Sequence, residues 1–243
     1  MNTTVDTQHI AVVTGANRGI GLAVVRALAE QGFTTILCAR DTARGAEVLR
    51  SLSADNLPVV LRKLDVTRSE DAQALARWIK EQFGHVDVLV NNAGILLESR
   101  QEGATHTADP LKVSMPTLLE HFNVNSLGAV RMIQALAPLM NADARIVNVS
   151  SGLGQLSDMN GGLLGYRLSK AALNAVTRVF AHELGEHGIK VYAVCPGWVR
   201  TDLGGPRATR SPEEGADTAV WLATAEPAPE TGLFYRDREV IDW

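Results

Sequence analysis

Short apolar runs alternate with longer stretches of helical period along nearly all of this chain, and that alternation leaves few folds open. Residues 9–14, 34–39, 58–64, 86–90, 144–149 and 189–195 have the length and apolar character of buried strands, and 232–235 adds a seventh. Between them, residues 20–30, 43–53, 69–83, 116–140 and 163–185 carry helical spacing, and Ser211-Pro-Glu-Glu214 reads as a helix start with proline at the first helical position. Strands joined through helices run parallel with right-handed crossovers. The expected fold class is therefore α/β, a doubly wound, mostly parallel seven-stranded sheet with helices on both faces. No repeat, low-complexity tract or linker interrupts the pattern, so residues 1–243 are expected to form a single domain.

Composition narrows the partners. The chain is 46% hydrophobic and 21% charged, near the averages for globular proteins. A net charge of −4 and a pI near 5.9 give no global attraction for nucleic acid or an anionic membrane, which points to small-molecule partners. Residues 1–9 are polar and lack the regions of a secretory signal, and no apolar stretch approaches the roughly 18 residues of a membrane span. A cytoplasmic protein with no membrane partner is expected. Cys38 and Cys195 fall in different strands without ligand spacing and read as core thiols.

The first strand runs into the first helix through Thr14-Gly-Ala-Asn-Arg-Gly-Ile-Gly21. Gly15, Gly19 and Gly21 permit a tight turn and close backbone approach to a pyrophosphate, while the helix N-terminus offers unpaired N–H groups and a favourable dipole. The spacing is a variant of the Rossmann fingerprint, and alone it also suits an ordinary strand-to-helix turn. Asn17, Arg18 and Ile20 complete the candidate phosphate loop. At the end of the second strand, where a carboxylate would clasp the ribose of NAD, stands Arg40. Arg40 can pair with a 2′-phosphate and Arg18 can reach the same group, which favours NADP(H). A solvated strand-end arginine is the competing reading. Asp41 is expected to cap the next helix.

Tyr166 and Lys170 stand one helical turn apart. A phenol with an ordinary pKa of about 10 is a poor acid–base group at neutral pH, but a neighbouring ammonium and an oxidised nicotinamide favour its phenolate. Ser150-Ser151 ends the fifth strand, at the sheet edge where open parallel sheets bind ligands, and a hydroxyl there can hold a carbonyl oxygen. Asn91-Asn92-Ala93-Gly94 ends the fourth strand at the same edge. Asn125 sits mid-helix, an unfavourable place that suits either a helix bend or a catalytic role.

Together these residues resemble the short-chain dehydrogenase/reductase family from about Ile10 to Trp243, within it the carbonyl-reductase branch. The resemblance implies a single dinucleotide-binding and catalytic domain with an Asn-Ser-Tyr-Lys tetrad at Asn125, Ser151, Tyr166 and Lys170. It implies cofactor contacts from Gly15, Asn17, Arg18, Gly19, Ile20 and Gly21 of the T-G-x₃-G-x-G motif, from Asn92, Ala93 and Gly94, and from Pro196, Gly197 and Thr201 of a P-G-x₃-T motif. It also places Asp65 and Val66 beside the adenine and Val199 beside the nicotinamide carboxamide. The implied reaction is NADPH-dependent reduction of a ketone or aldehyde, reversibly a secondary alcohol, with Tyr166 as proton donor, Ser151 on the carbonyl oxygen, Lys170 on the nicotinamide ribose and Asn125 ordering a water. Alternatives on the same fold are a 3-oxoacyl carrier reductase, for which no basic docking cluster stands out, and a catalytically silent NADP-binding sensor or scaffold.

One departure matters. The stretch from Ser151 to Tyr166 is about two residues longer than the common family spacing, which keeps Ser150 as a second candidate and leaves the oligomeric state open between monomer, dimer and tetramer. No metal is expected. His182 and His187 are five apart on a helix and cannot readily share an ion, and His106, Asp109 and His121 read as solvated side chains.

Overall fold

The computed structural model describes residues 8–98 and 108–243. In chain order it contains β1 (Ile10–Thr14), α1 (Gly19–Glu30), β2 (Thr34–Ala39), α2 (Thr42–Ala54), β3 (Val59–Lys63), α3 (Ser69–Gln82) and β4 (Val86–Asn91). There follow α4 (Met115–Asn125), α5 (Leu127–Leu136), β5 (Met140–Val149), α6 (Leu164–Gly185), β6 (Lys190–Val194), α7 (Pro212–Thr224), β7 (Phe234–Arg236) and β8 (Glu239–Ile241). The strands form one sheet in the order β3-β2-β1-β4-β5-β6-β7-β8.

The first seven strands pair in parallel, as expected, but the sheet has eight strands rather than seven. The eighth returns antiparallel to β7 through Asp237 and Arg238, both at positive φ. It spans three residues, two of them exposed, so no apolar pattern announces it.

Period-two alternation explains how the sheet is covered. Ile10 and Val12 face a core shared with Leu75 and Ile79 of α3 and Met132 and Leu136 of α5. Ala11 and Val13 face the opposite core, with Val24 and Leu28 of α1 and Leu222 of α7. The strand order runs outward in both directions from the β1/β4 boundary, so the crevice at their C-terminal ends is the switch point where such sheets take ligands.

The helix expected over 116–140 is broken at Ser126, which separates α4 from α5. Asn125, the unfavourable mid-helix residue, ends α4 at that break. Asp41 does cap α2, accepting from the Ala43 and Arg44 N–H groups, and Ser211 forms a capping box with Glu214. Cys38 and Cys195 are buried thiols, with burial raising the Cys38 pKa to about 12. Among the described residues no helix is long and apolar enough to cross a membrane.

Candidate active site

A cleft of about 1210 Å³ opens at the switch point. Nearly every residue singled out from the sequence lines it: Gly15 to Ile20 of the glycine loop apart from Ala16, Arg40, Asp65, Val66, Asn92 to Gly94, Ser151, Tyr166, Lys170, Pro196, Gly197, Val199 and Thr201. Gly21 and Asn125 stand behind the lining.

The glycine loop is latched to the end of β4. Thr14 Oγ1 accepts from the N–H groups of Asn92 and Ala93, both at 3.0 Å, and Asn92 Nδ2 donates to the carbonyls of Thr14 and Gly15 at 2.9 and 3.1 Å. Gly15 has φ +62°, and a Cβ there would lie 2.8 Å from Ala93 Cα, so a side chain has neither the conformation nor the space. The first turn of α1 carries no side-chain cap. Gly19 and Ile20 of that turn line the cleft, and an uncapped helix start beside a glycine loop fits a dinucleotide pyrophosphate.

Arg40 is exposed at the end of β2 on the cleft rim. Arg18 is ion-paired with Asp202, and Arg44, which the sequence did not single out, lies 3.8 Å from the same carboxylate. Burial raises the pKa of Asp65, but hydrogen bonds from Thr67 and the nearby Arg40 and Arg68 outweigh it and hold the carboxyl below its usual range. Opposite, Gly197 (φ +77°) lets the Pro196-Gly197 turn pass within 2.6 Å, measured from a Cβ position, of Arg210 Nε. Arg210 is in turn held by Asp237.

The two serines part company. Ser150 is buried and donates to Asn174 Oδ1 at 2.6 Å, whereas Ser151 caps the Gly152–Gly154 turn and stands near enough to the Tyr166 phenol to lower its pKa. Burial pushes the Tyr166 phenol up to about 12, with Ser151 opposing it, so the group is a neutral acid at physiological pH. Burial lowers Lys170 to about 8. Its ammonium donates to the Val149 carbonyl at 2.8 Å and lies 5.7 Å from the tyrosine ring centre. Asn125 Oδ1 accepts from Ile95 N–H at 2.8 Å, and its Nδ2 donates to Ile95 O and Ser169 Oγ, both at 3.0 Å. A Cβ at Gly94 would lie 3.5 Å from Asn125 Oδ1 and 3.6 Å from Lys170 Nζ, so the two side chains converge behind that glycine.

His121 corrects a sequence expectation. It is not solvated but fully buried in α4, because Thr117 O and Leu97 N–H satisfy its two ring nitrogens, and its ring packs edge-on to Tyr166. His106 lies outside the described residues. Glu98 was missed altogether: no motif marks it, yet it is buried against the start of α6.

Comparison with known proteins accords with this geometry. The model of the short chain dehydrogenase family matches residues 9–211. Human carbonyl reductase (NADPH) 1 is 33% identical over 97% of this chain and 98% of its own length. Short-chain dehydrogenase/reductase 1 of Saponaria officinalis is 35% identical, covering 96% and 95%. The NADPH-bound carbonyl reductase from chicken fatty liver superposes with a TM-score of 0.84 at 28% identity, covering 98% of this chain and 99% of that one.

Proposed function

This chain belongs to the short-chain dehydrogenase/reductase family, and on that premise we propose that it reduces bulky, neutral ketones or aldehydes with NADPH, using Tyr166 as the proton donor. The observation that carries the reading is a buried phenol that shares the cleft with the Ser151 hydroxyl, with the Lys170 ammonium 5.7 Å from its ring centre, at the ligand-binding edge of the sheet. The glycine loop would hold the pyrophosphate, Arg40 and Arg44 the 2′-phosphate, and Lys170 the nicotinamide ribose. Bound NADPH supplies the hydride that the carbonyl carbon accepts.

The protein's own part is to orient the substrate and move one proton. Ser151 donates a hydrogen bond to the substrate oxygen and steadies the negative charge that develops there. Tyr166 gives its phenolic proton to that oxygen, which completes the alcohol and leaves a phenolate. Lys170, with a pKa of about 8, is mostly protonated at pH 7 and stabilises that phenolate until solvent restores the proton. Asn125 retains a free lone pair on Oδ1 and can order a water for this return.

The cleft walls support the substrate class. Ile95, Leu96, Leu153, Leu163, Trp198 and Leu203 contribute apolar surface, and Trp198 is anchored through Nε1 to Gly204 O at 2.8 Å. The test is NADPH oxidation with an aryl ketone and with a charged 2-oxo acid. The expected result is a kcat/KM at least about tenfold higher for the ketone, since each misplaced polar or apolar group in such a pocket is worth ~1–3 kcal/mol. A preference for the acid would overturn the assignment.

A further inference from the structure

The first turn of α6 lacks any cap of its own. Its N-cap residue, Leu163, sits at φ +53° and ψ 45°, no side chain caps the helix locally, and the first turn holds no acidic residue. The opening N–H groups of a helix need partners from elsewhere. Two of them find one in Glu98, 67 residues earlier in the chain: Gly165 N–H donates to Oε1 at 3.1 Å and Tyr166 N–H to Oε2 at 2.9 Å.

Glu98 is only 4% exposed and His121 is 0% exposed, so neither is a surface charge brushing past. His121 Nε2 lies 3.7 Å from Glu98 Oε2 and accepts from Leu97 N–H at 3.1 Å, while Nδ1 bonds Thr117 O at 2.8 Å. One turn later on α4, Asn125 grips both backbone groups of Ile95. The segment 94–98 is thus clamped to α4 at two points and passes that grip to α6 through Glu98. Gly165 is fitted to the arrangement: a Cβ there would stand 2.8 Å from His121 Nδ1, 3.0 Å from Leu118 Cδ2 and 3.3 Å from Glu98 Oε2. Only glycine lets the three elements close.

We infer that Glu98 is a positioning residue for Tyr166: its buried carboxylate fixes the opening turn of α6, and so fixes where the phenol stands relative to Ser151. The inference rests on the role proposed for Tyr166. Ser151 follows β5 and Lys170 lies a turn deeper in α6, so a shift of that first turn changes the tyrosine–serine geometry and leaves the cofactor loop intact. Misplacement of a reacting group by about 1 Å costs about a hundredfold in rate.

Glu98→Gln keeps the side chain's length but replaces one acceptor oxygen with an NH₂ group, leaving a helix N–H facing a donor. We expect kcat at saturating NADPH to fall by about ten- to a hundredfold, while NADPH binds with a Kd within about twofold of the unmodified protein and the same stoichiometry. Gly165→Ala removes no charge but crowds Glu98 and His121, and should give the same split; it decides the matter should Glu98→Gln fail to fold. Unchanged kcat, or a kcat reduced only in proportion to lost NADPH-binding sites, overturns the inference. Tyr166→Phe separates the two readings. If it is inactive while Glu98→Gln turns over normally, only the role of Glu98 fails; if it remains active, the premise fails as well.

Discussion

On the β1/β4 side, the cleft wall is a glycine loop pressed onto a neighbouring strand end and tied there by the Thr14 and Asn92 side chains; on the α6 side, it is a helix start held by side chains from α4 and the segment after β4. The first wall is a pair of strand ends stitched through Thr14 and Asn92, with Gly15 pressed on Ala93. The second depends on Glu98, His121 and Asn125, whose partners lie on other elements. The difference concerns what is held: the first wall sets the glycine loop that faces the cofactor, whereas the second sets the opening turn of α6 that carries Tyr166.

The sharpest way to break the first wall is Gly15→Val. A branched side chain meets both a positive φ and the Ala93 backbone, so the loop must open. NADPH affinity should fall by about a hundredfold or more, ~2.7 kcal/mol, as read by fluorescence titration. A loss smaller than about tenfold would mean that this wall yields and that the contrast between the two sides is overstated.

The same contrast explains what the sequence made legible. Strand alternation, the glycine loop and the Tyr166–Lys170 turn are local patterns, and a local pattern can be read from spacing. The sequence kept Ser150 as a second candidate beside Ser151, because their difference lies in Asn174 and Tyr166, which belong to α6. The break at Ser126 was hidden because Leu127 to Leu136 keeps the helical period across it. Glu98 was invisible because its partners are remote in sequence, and β8 because three residues, two of them exposed, carry no periodic signal. His121 read as polar and exposed because burial of a histidine is decided by the partners that satisfy both ring nitrogens.

A smaller effect is expected at the rim, where neither kind of wall operates. Arg40 is exposed, and a charge-assisted bond to a 2′-phosphate contributes roughly 1.5 kcal/mol at the lower end of its range, close to tenfold. Arg40→Ala should raise the KM for NADPH by about tenfold and barely change that for NADH. Unchanged use of NADPH would assign the 2′-phosphate to Arg44 alone, or leave Arg40 as a solvated strand end.

The central claim is that one buried phenol supplies the proton, and Tyr166→Phe tests it most directly because it deletes a single hydroxyl without touching the glycine loop. Measured side by side, kcat for an aryl ketone should fall by more than about a hundredfold, while the Kd for NADPH stays within about twofold. A variant that kept more than about a tenth of the original kcat would contradict the account, since no missing general acid leaves so much rate behind.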